Sequence, residues 1–118
     1  MQVLSVARTS TLLGNDVVNA KGEALAQLNE IVLDVAKGRV AFAVLSLGGV
    51  LGIGERLLAV PWEAFRREPE NRRLILDLPH DKLAKAPSFG KNEWPDMSNP
   101  EWAASVYGYY DCHPYWEN

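Results

Sequence analysis

Short apolar stretches separated by turn residues run through the first 89 residues of the chain. They lie at residues 16–19, 25–34, 39–47, 57–62 and 72–78, a spacing typical of strands in a small barrel or sandwich. Gly22 and Gly38 fall between the first three stretches, where a tight turn needs positive φ. Alternation fails between Leu28 and Ile31, which predicts a β-bulge or a bend there. Because the connections are short, we expect all the strands to be antiparallel.

The stretch 39–47 is apolar on both faces, since residues 40–45 are consecutive apolar residues. A strand of this kind is covered on both faces. The outer cover is either the C-terminal part of the chain or a second copy. We predict a homodimer, since two-fold dimers are the commonest soluble oligomers. The side chains expected to supply most of the core are Leu25, Leu28, Ile31, Val32, Val40, Phe42, Val44, Leu58, Val60, Leu74 and Leu76.

Residues 90–118 differ in composition from the rest, with one basic residue against five acidic ones. Seven of the eleven aromatic residues of the chain lie here, whereas disordered tails are poor in aromatics. Ser98 or Asn99 as N-cap and Pro100 as the first residue predict a short helix. Its buried face would carry Trp102, Val106 and Tyr110. We therefore divide the chain into a β domain, residues 1–89, and an acidic aromatic extension, residues 90–118, that packs on the barrel or on a partner.

Composition and charge exclude several classes of protein. The single cysteine excludes an internal disulfide framework and a multi-cysteine metal site. No apolar run approaches the ~20 residues of a membrane helix, and the N-terminus lacks the pattern of a signal peptide, so we expect a cytoplasmic protein without a membrane span. The net charge of −3 makes a nucleic-acid partner unlikely, because nucleic-acid binders usually carry a basic excess.

Four stretches of the body resemble, in order and spacing, the PRC-barrel domain family in its stand-alone bacterial form. They are residues 13–18, 22–34, 38–49 and 52–62, within a resemblance that covers about residues 10–80. The family pattern favours glycine where this chain has Ala26. The resemblance implies an all-β fold, a small and strongly bent antiparallel β-barrel. Relatives include the cytoplasmic part of the photosynthetic reaction-centre H subunit and the C-terminal domain of a ribosome maturation factor, and they share no catalytic motif to transfer.

No pattern of residues predicts catalysis, a cofactor or a metal. Asp111, Cys112 and His113 form the one cluster of metal-ligating types, but zinc needs three or four ligands, and the other histidine, His80, is distant in sequence. The glycines between Gly48 and Gly54 lack the following helix of a phosphate-binding loop, so a hairpin between strands is the better interpretation.

Three groups of residues form the candidate interaction surface. The first is an apolar loop tip, the second a basic cluster and the third a set of tail aromatics: Val50, Leu51 and Ile53; Arg66, Arg67, Arg72 and Arg73; Trp94, Trp102 and Tyr110. They predict a non-enzymatic interaction or scaffold module with an unknown protein partner. The alternative is a ribosome- or RNA-associated accessory factor, suggested by the arginines and by the resemblance. A weaker alternative is a carrier that holds a small ligand inside the barrel.

Overall fold

The computed structural model describes residues 4–48, 55–68 and 73–117, and for residues 67 and 68 it describes the backbone alone. The strands are β1 (Asp16–Val18), β2 (Ala24–Asp34), β3 (Arg39–Leu47), β4 (Arg56–Pro61), β5 (Phe65–Glu68) and β6 (Arg73–Leu76). The helices are α1 (Thr9–Leu12), α2 (His80–Ala84) and α3 (Pro100–Tyr109), and a 3₁₀ turn (Trp62–Ala64) joins β4 to β5. None of these helices is both long and apolar enough to cross a membrane.

The strands form one mixed sheet in the order β4-β3-β2-β1-β6-β5. Neighbouring pairs are antiparallel except β1 and β6, which run parallel. The prediction that all strands are antiparallel is therefore wrong. It considered connections between successive strands, whereas β1 and β6 are separated in sequence by the whole of β2 to β5.

The sheet curves, because the two strands at the ends of its order are neighbours in sequence. Only Trp62–Ala64 separates the last residue of β4 from the first residue of β5. Four residue steps span at most about 14 Å, so the outer strands must approach each other. Within the described residues β4 and β5 do not pair, and the sheet is barrel-like without closing by hydrogen bonds.

Two irregularities bend the central strands. The register of β2 against β3 shifts between Leu28 and Glu30, which confirms the bulge predicted from the broken alternation. It shifts again between Val32 and Leu33, opposite Ala41. Ala41 has no partner in either ladder described for β3. Its carbonyl accepts a hydrogen bond from a residue outside the sheet.

The core is one cluster of buried side chains that joins all six strands to α2 and α3. Of the predicted core, eight side chains are buried: Leu25, Leu28, Phe42, Val44, Leu58, Val60, Leu74 and Leu76. Ile31, Val32 and Val40 are half-buried and lie towards the end of the β2–β3 hairpin. Phe65, Leu83 and Tyr107 join the core without having been predicted.

The start of α3 follows the sequence signal, whereas the start of α2 does not. The Asn99 side chain accepts hydrogen bonds from the backbone nitrogens of Glu101 (2.9 Å) and Trp102 (3.4 Å), with Pro100 as the first helical residue. Residues 81–85 predict a single helical turn capped by Asp81. Helix α2 instead begins at His80 after Pro79, so Asp81 lies in its first turn.

Candidate interaction groove

Helix α3 covers the outer face of β3. Tyr107 is completely buried, and its hydroxyl donates a hydrogen bond of 2.6 Å to the carbonyl oxygen of Ala41. The Phe42 ring packs against Trp102, at 5.4 Å between centroids, and against Tyr107, at 5.5 Å. The cover that the apolar strand 39–47 requires is thus supplied by the C-terminal part of the same chain.

A polar cluster fastens the last residues of the chain to the β2–β3 hairpin. The Tyr115 hydroxyl donates a hydrogen bond of 2.6 Å to Asp34 Oδ2. The Arg39 guanidinium lies 3.8 Å from the centre of the Tyr115 ring and forms an ion pair with Glu63. The Tyr115 hydroxyl and the backbone N–H of Lys37 lower the pKa of Asp34, while burial and the bond to Asp34 raise the pKa of Tyr115 to about 12. Asp34 is therefore an anion at neutral pH, and Tyr115 is a neutral donor.

Between the hairpin and the C-terminal segment lies a groove of about 460 Å³, which we name the hairpin–tail groove. Its hairpin wall consists of residues 32–36 with Ala41 and Phe42, and its tail wall of Met97, Ser98, Pro100, Ala103, Tyr115 and Trp116. Its volume lies within the range of typical ligand sites, about 300–1,000 Å³. Most of the lining is apolar, so the groove suits apolar side chains.

Two large apolar side chains of the hairpin wall project into solvent. Leu33, near the end of β2, is 59% exposed, and Val35, in the following turn, is 87% exposed. Polar residues are the rule at such turns. Exposed apolar side chains beside a groove mark contact surfaces.

One carboxylate lines the groove, and a second lies beside the tail wall without being part of the lining. Asp34 belongs to the hairpin wall. On the tail wall, Ser98 donates to Asp96 Oδ1 through its backbone nitrogen (3.1 Å) and its hydroxyl (2.6 Å). These bonds lower the pKa of Asp96, so it is also an anion at neutral pH.

Residues 5–83, more than half of the chain, match the model of the PRC-barrel domain. The chain belongs to the PRC-barrel domain family. The match confirms the resemblance found in the sequence and covers every strand of the sheet. The hairpin wall of the groove lies within this PRC-barrel domain, and the tail wall follows it. Among the curated proteins, none matches the sequence.

The sequence-predicted surface does not line the groove where its residues are described. Val50, Leu51, Ile53 and Arg72 lie outside the described residues, as does the side chain of Arg67. Arg66 is largely exposed, 3.9 Å from Asp77, and Arg73 is half-buried. Trp94 is 41% exposed and packs on Phe89. Trp102 and Tyr110 border a smaller hollow of about 110 Å³ beside Ala59, where Tyr110 is buried.

Sequence reasoning missed the residues that build the groove. The signal that was available is the pair Leu33 and Val35, apolar residues next to a turn that strand alternation does not explain. The contact between Asp34 and Tyr115 joins residues 81 positions apart, and no local pattern indicates it.

The cluster at Asp111, Cys112 and His113 does not assemble a metal site. In the part of the chain that the structure describes, no three residues of ligating type are grouped to hold a metal ion. Burial raises the pKa of the Cys112 thiol, which disfavours the reactive thiolate. The His113 side chain is exposed, with Nε2 3.3 Å from the carbonyl oxygen of Glu117.

Proposed function

We propose that this PRC-barrel protein is a non-enzymatic interaction module that binds a protein partner in the hairpin–tail groove. The observation that carries the proposal is the exposure of Leu33 and Val35 on the lip of an apolar groove. Exposing such side chains costs solubility, and a surface that retains them typically binds something. We place this role in the cytoplasm.

The polar groups beside the groove support binding rather than chemistry. Asp34, Arg39 and Tyr115 are bonded to one another or to Glu63, and these contacts hold the C-terminal segment in place. A general acid or base works best with a pKa near the operating pH. Here the pKa of Asp34 is lowered and that of Tyr115 is raised, so both move away from neutrality.

A capture experiment with matched variants tests the proposal. The tagged chain is used to capture proteins from a lysate of its native cells, beside the variants Leu33→Thr/Val35→Thr and Leu4→Thr/Val6→Thr. Leu4 and Val6 are also about three-quarters exposed but do not line the groove. Threonine keeps strand propensity and removes apolar surface. We expect a partner that the control retains and the groove variant loses. If both variants capture the same proteins in equal amounts, the groove is not the binding surface.

Self-association is a separate proposal. The homodimer was predicted because the strand 39–47 needs an outer cover, and α3 of the same chain contributes to that cover through Tyr107 and Trp102. Sedimentation velocity at ~100 μM tests the homodimer, because a Kd of about 1 μM would leave mostly dimer at that concentration. A single species of 13.1 kDa would contradict it.

The ribosome- or RNA-associated role stays the alternative. Its support is the arginine cluster. Within this cluster the side chain of Arg66 is exposed and lies near the carboxylate of Asp77. Phosphate contacts make binding steeply dependent on salt. A salt titration of binding to ribosomal RNA therefore separates this role from the proposed one.

A further inference from the structure

The charges around the hairpin–tail groove point to the chemistry of its occupant. We infer that the groove binds a segment of another protein in which apolar side chains are flanked by lysine or arginine. This inference rests on the proposed function and names the class of partner that the same groove would take.

One anion lines the groove and a second lies beside it. The Asp34 carboxylate is held on the hairpin wall by Tyr115, and the Asp96 carboxylate, outside the lining, is held by Ser98 of the tail wall. Their pKa values are lowered, so both keep their charge well below neutral pH. A segment lying between the walls meets the charge of Asp34 and passes near that of Asp96.

Negative side chains outnumber positive ones around the groove, although the charge of Lys37 acts on Asp34 and helps to lower its pKa. The Arg39 guanidinium packs on the ring of Tyr115, which lines the groove, but it is already paired with Glu63. On the hairpin turn Lys37 is exposed. On the tail side, Glu101 and Glu117 are exposed directly after the lining residues Pro100 and Trp116, and they add further negative charge.

Apolar side chains and the Asp34 carboxylate line the same groove. Leu33 and Val35 form an apolar lip, and Trp116 lines the opposite wall. The face of an indole ring attracts ammonium and guanidinium groups. A segment with both apolar and basic side chains matches both features, whereas the charges of Asp34 and Asp96 would repel an acidic segment.

Labelled peptides test the inference directly. Fluorescence anisotropy measures binding of the intact chain to a peptide of alternating leucine and lysine, and to the same peptide with glutamate or serine in place of lysine. We expect the lysine peptide to bind most tightly and the glutamate peptide most weakly. The preference should fall as salt rises, because screening shortens the range of the attraction from about 10 Å at 0.1 M to about 3 Å at 1 M.

Variants locate the binding on the groove. Asp34→Asn and Asp96→Asn remove the two charges. In Asp96→Asn the amide oxygen can still accept both bonds from Ser98, whereas in Asp34→Asn it can replace only one of the two acceptor oxygens that Lys37 and Tyr115 use. An exposed ion pair contributes a factor of roughly 1.5 to 5 to an equilibrium constant, so the double variant should weaken binding of the lysine peptide about two- to twenty-five-fold. The affinity for the serine peptide should not change in this double variant. Asp81→Asn, an exposed carboxylate of α2 outside the groove lining, is the matched control and should change neither affinity.

Three results would overturn the inference. One is equal or tighter binding of the glutamate peptide. Another is binding of the lysine peptide that survives both Leu33→Thr/Val35→Thr and the Asn variants. The third is a dimer in sedimentation that dissociates in the variant Leu33→Thr/Val35→Thr, since the groove would then hold a second copy of this chain. If the lysine peptide fails to bind while the groove variant still loses its captured partner, this inference fails and the proposed function stands.

Discussion

Replacing Tyr107 by phenylalanine tests how the C-terminal segment is fastened to the sheet. The change removes the hydroxyl that donates to the carbonyl of Ala41 at 2.6 Å and leaves the ring packed against Phe42 and Trp116. Ala41 is 7% exposed, so its carbonyl would lose the Tyr107 hydroxyl as a partner at a buried position. An acceptor left in this state costs about 1–3 kcal/mol. We expect Tyr107→Phe to lower the free energy of unfolding by that amount.

Tyr110→Phe provides the matched comparison on the same helix. Tyr110 is 7% exposed, and its hydroxyl has no hydrogen-bond partner among the described residues. Burying a hydroxyl without a partner costs free energy that its removal returns. We therefore expect Tyr110→Phe to raise the free energy of unfolding by about 1 kcal/mol. The two variants delete the same atom from the same residue type but should act in opposite directions.

Urea and thermal denaturation, followed by circular dichroism, measure both effects. For a chain of this size, 1 kcal/mol shifts Tm by about 3–6 °C, so the two variants should melt well apart. The slope of unfolding free energy against urea should stay unchanged, since neither variant alters the surface exposed on unfolding. If both variants shift Tm in the same direction by the same amount, the partners of these two hydroxyls do not decide their contributions, and the reasoning is wrong.

The remaining predictions concern the core, pH and the C-terminal segment. Phe42→Ala should cost about 3–5 kcal/mol in urea unfolding, because the ring is buried between Trp102 and Tyr107. Since folding raises the pKa of Tyr115 from 10.0 to about 12, its stabilising effect should be complete below pH 10 and be lost as pH rises to about 12. Since folding lowers the pKa of Asp34, the stability that its carboxylate contributes should be lost as pH falls below about 4. Tyr115→Phe should therefore make Tm depend less on pH, both at acid and at alkaline pH. Deleting residues 90–118 uncovers Phe42 and should lower Tm and cause aggregation, measured by light scattering.

Local patterns were sufficient where the signal lies inside the element itself. The apolar run predicted β3 with the bounds that it has, because its edges coincide with Gly38 and Gly48, both of which adopt positive φ. The break in alternation after Leu28 located a bulge because alternation reports the pleat directly. Asn99 and Pro100 fixed the start of α3 for a similar reason, since capping involves only adjacent residues.

The buried face of α3 was predicted only in part. Spacings of four chose Trp102, Val106 and Tyr110, whereas the buried residues of the helix are Ala103, Val106 and Tyr107, followed by Tyr110 at its end. The helix is rotated so that small Ala103 and Tyr107 face the sheet and Trp102 lies half-buried at the edge. Large rings at a spacing of four did not indicate this orientation. The hydrogen bond that holds Tyr107 in place goes to the carbonyl of Ala41, in a different element of the fold.

The contacts of the Ala41 carbonyl also show why local sequence patterns could not predict the candidate site. The bulge at Ala41 is a property of the β2–β3 pairing, which lies inside the family match over residues 5–83. The hydroxyl that donates to the Ala41 carbonyl belongs to Tyr107, outside that match. Tyr115 likewise comes from outside the match and bonds to Asp34 within it. The groove therefore has one wall from the PRC-barrel domain and one from the extension. A PRC-barrel domain with a different extension would keep the hairpin wall and lose the tail wall, so under the proposed function the choice of partner would depend on residues 90–118 as well as on the hairpin wall.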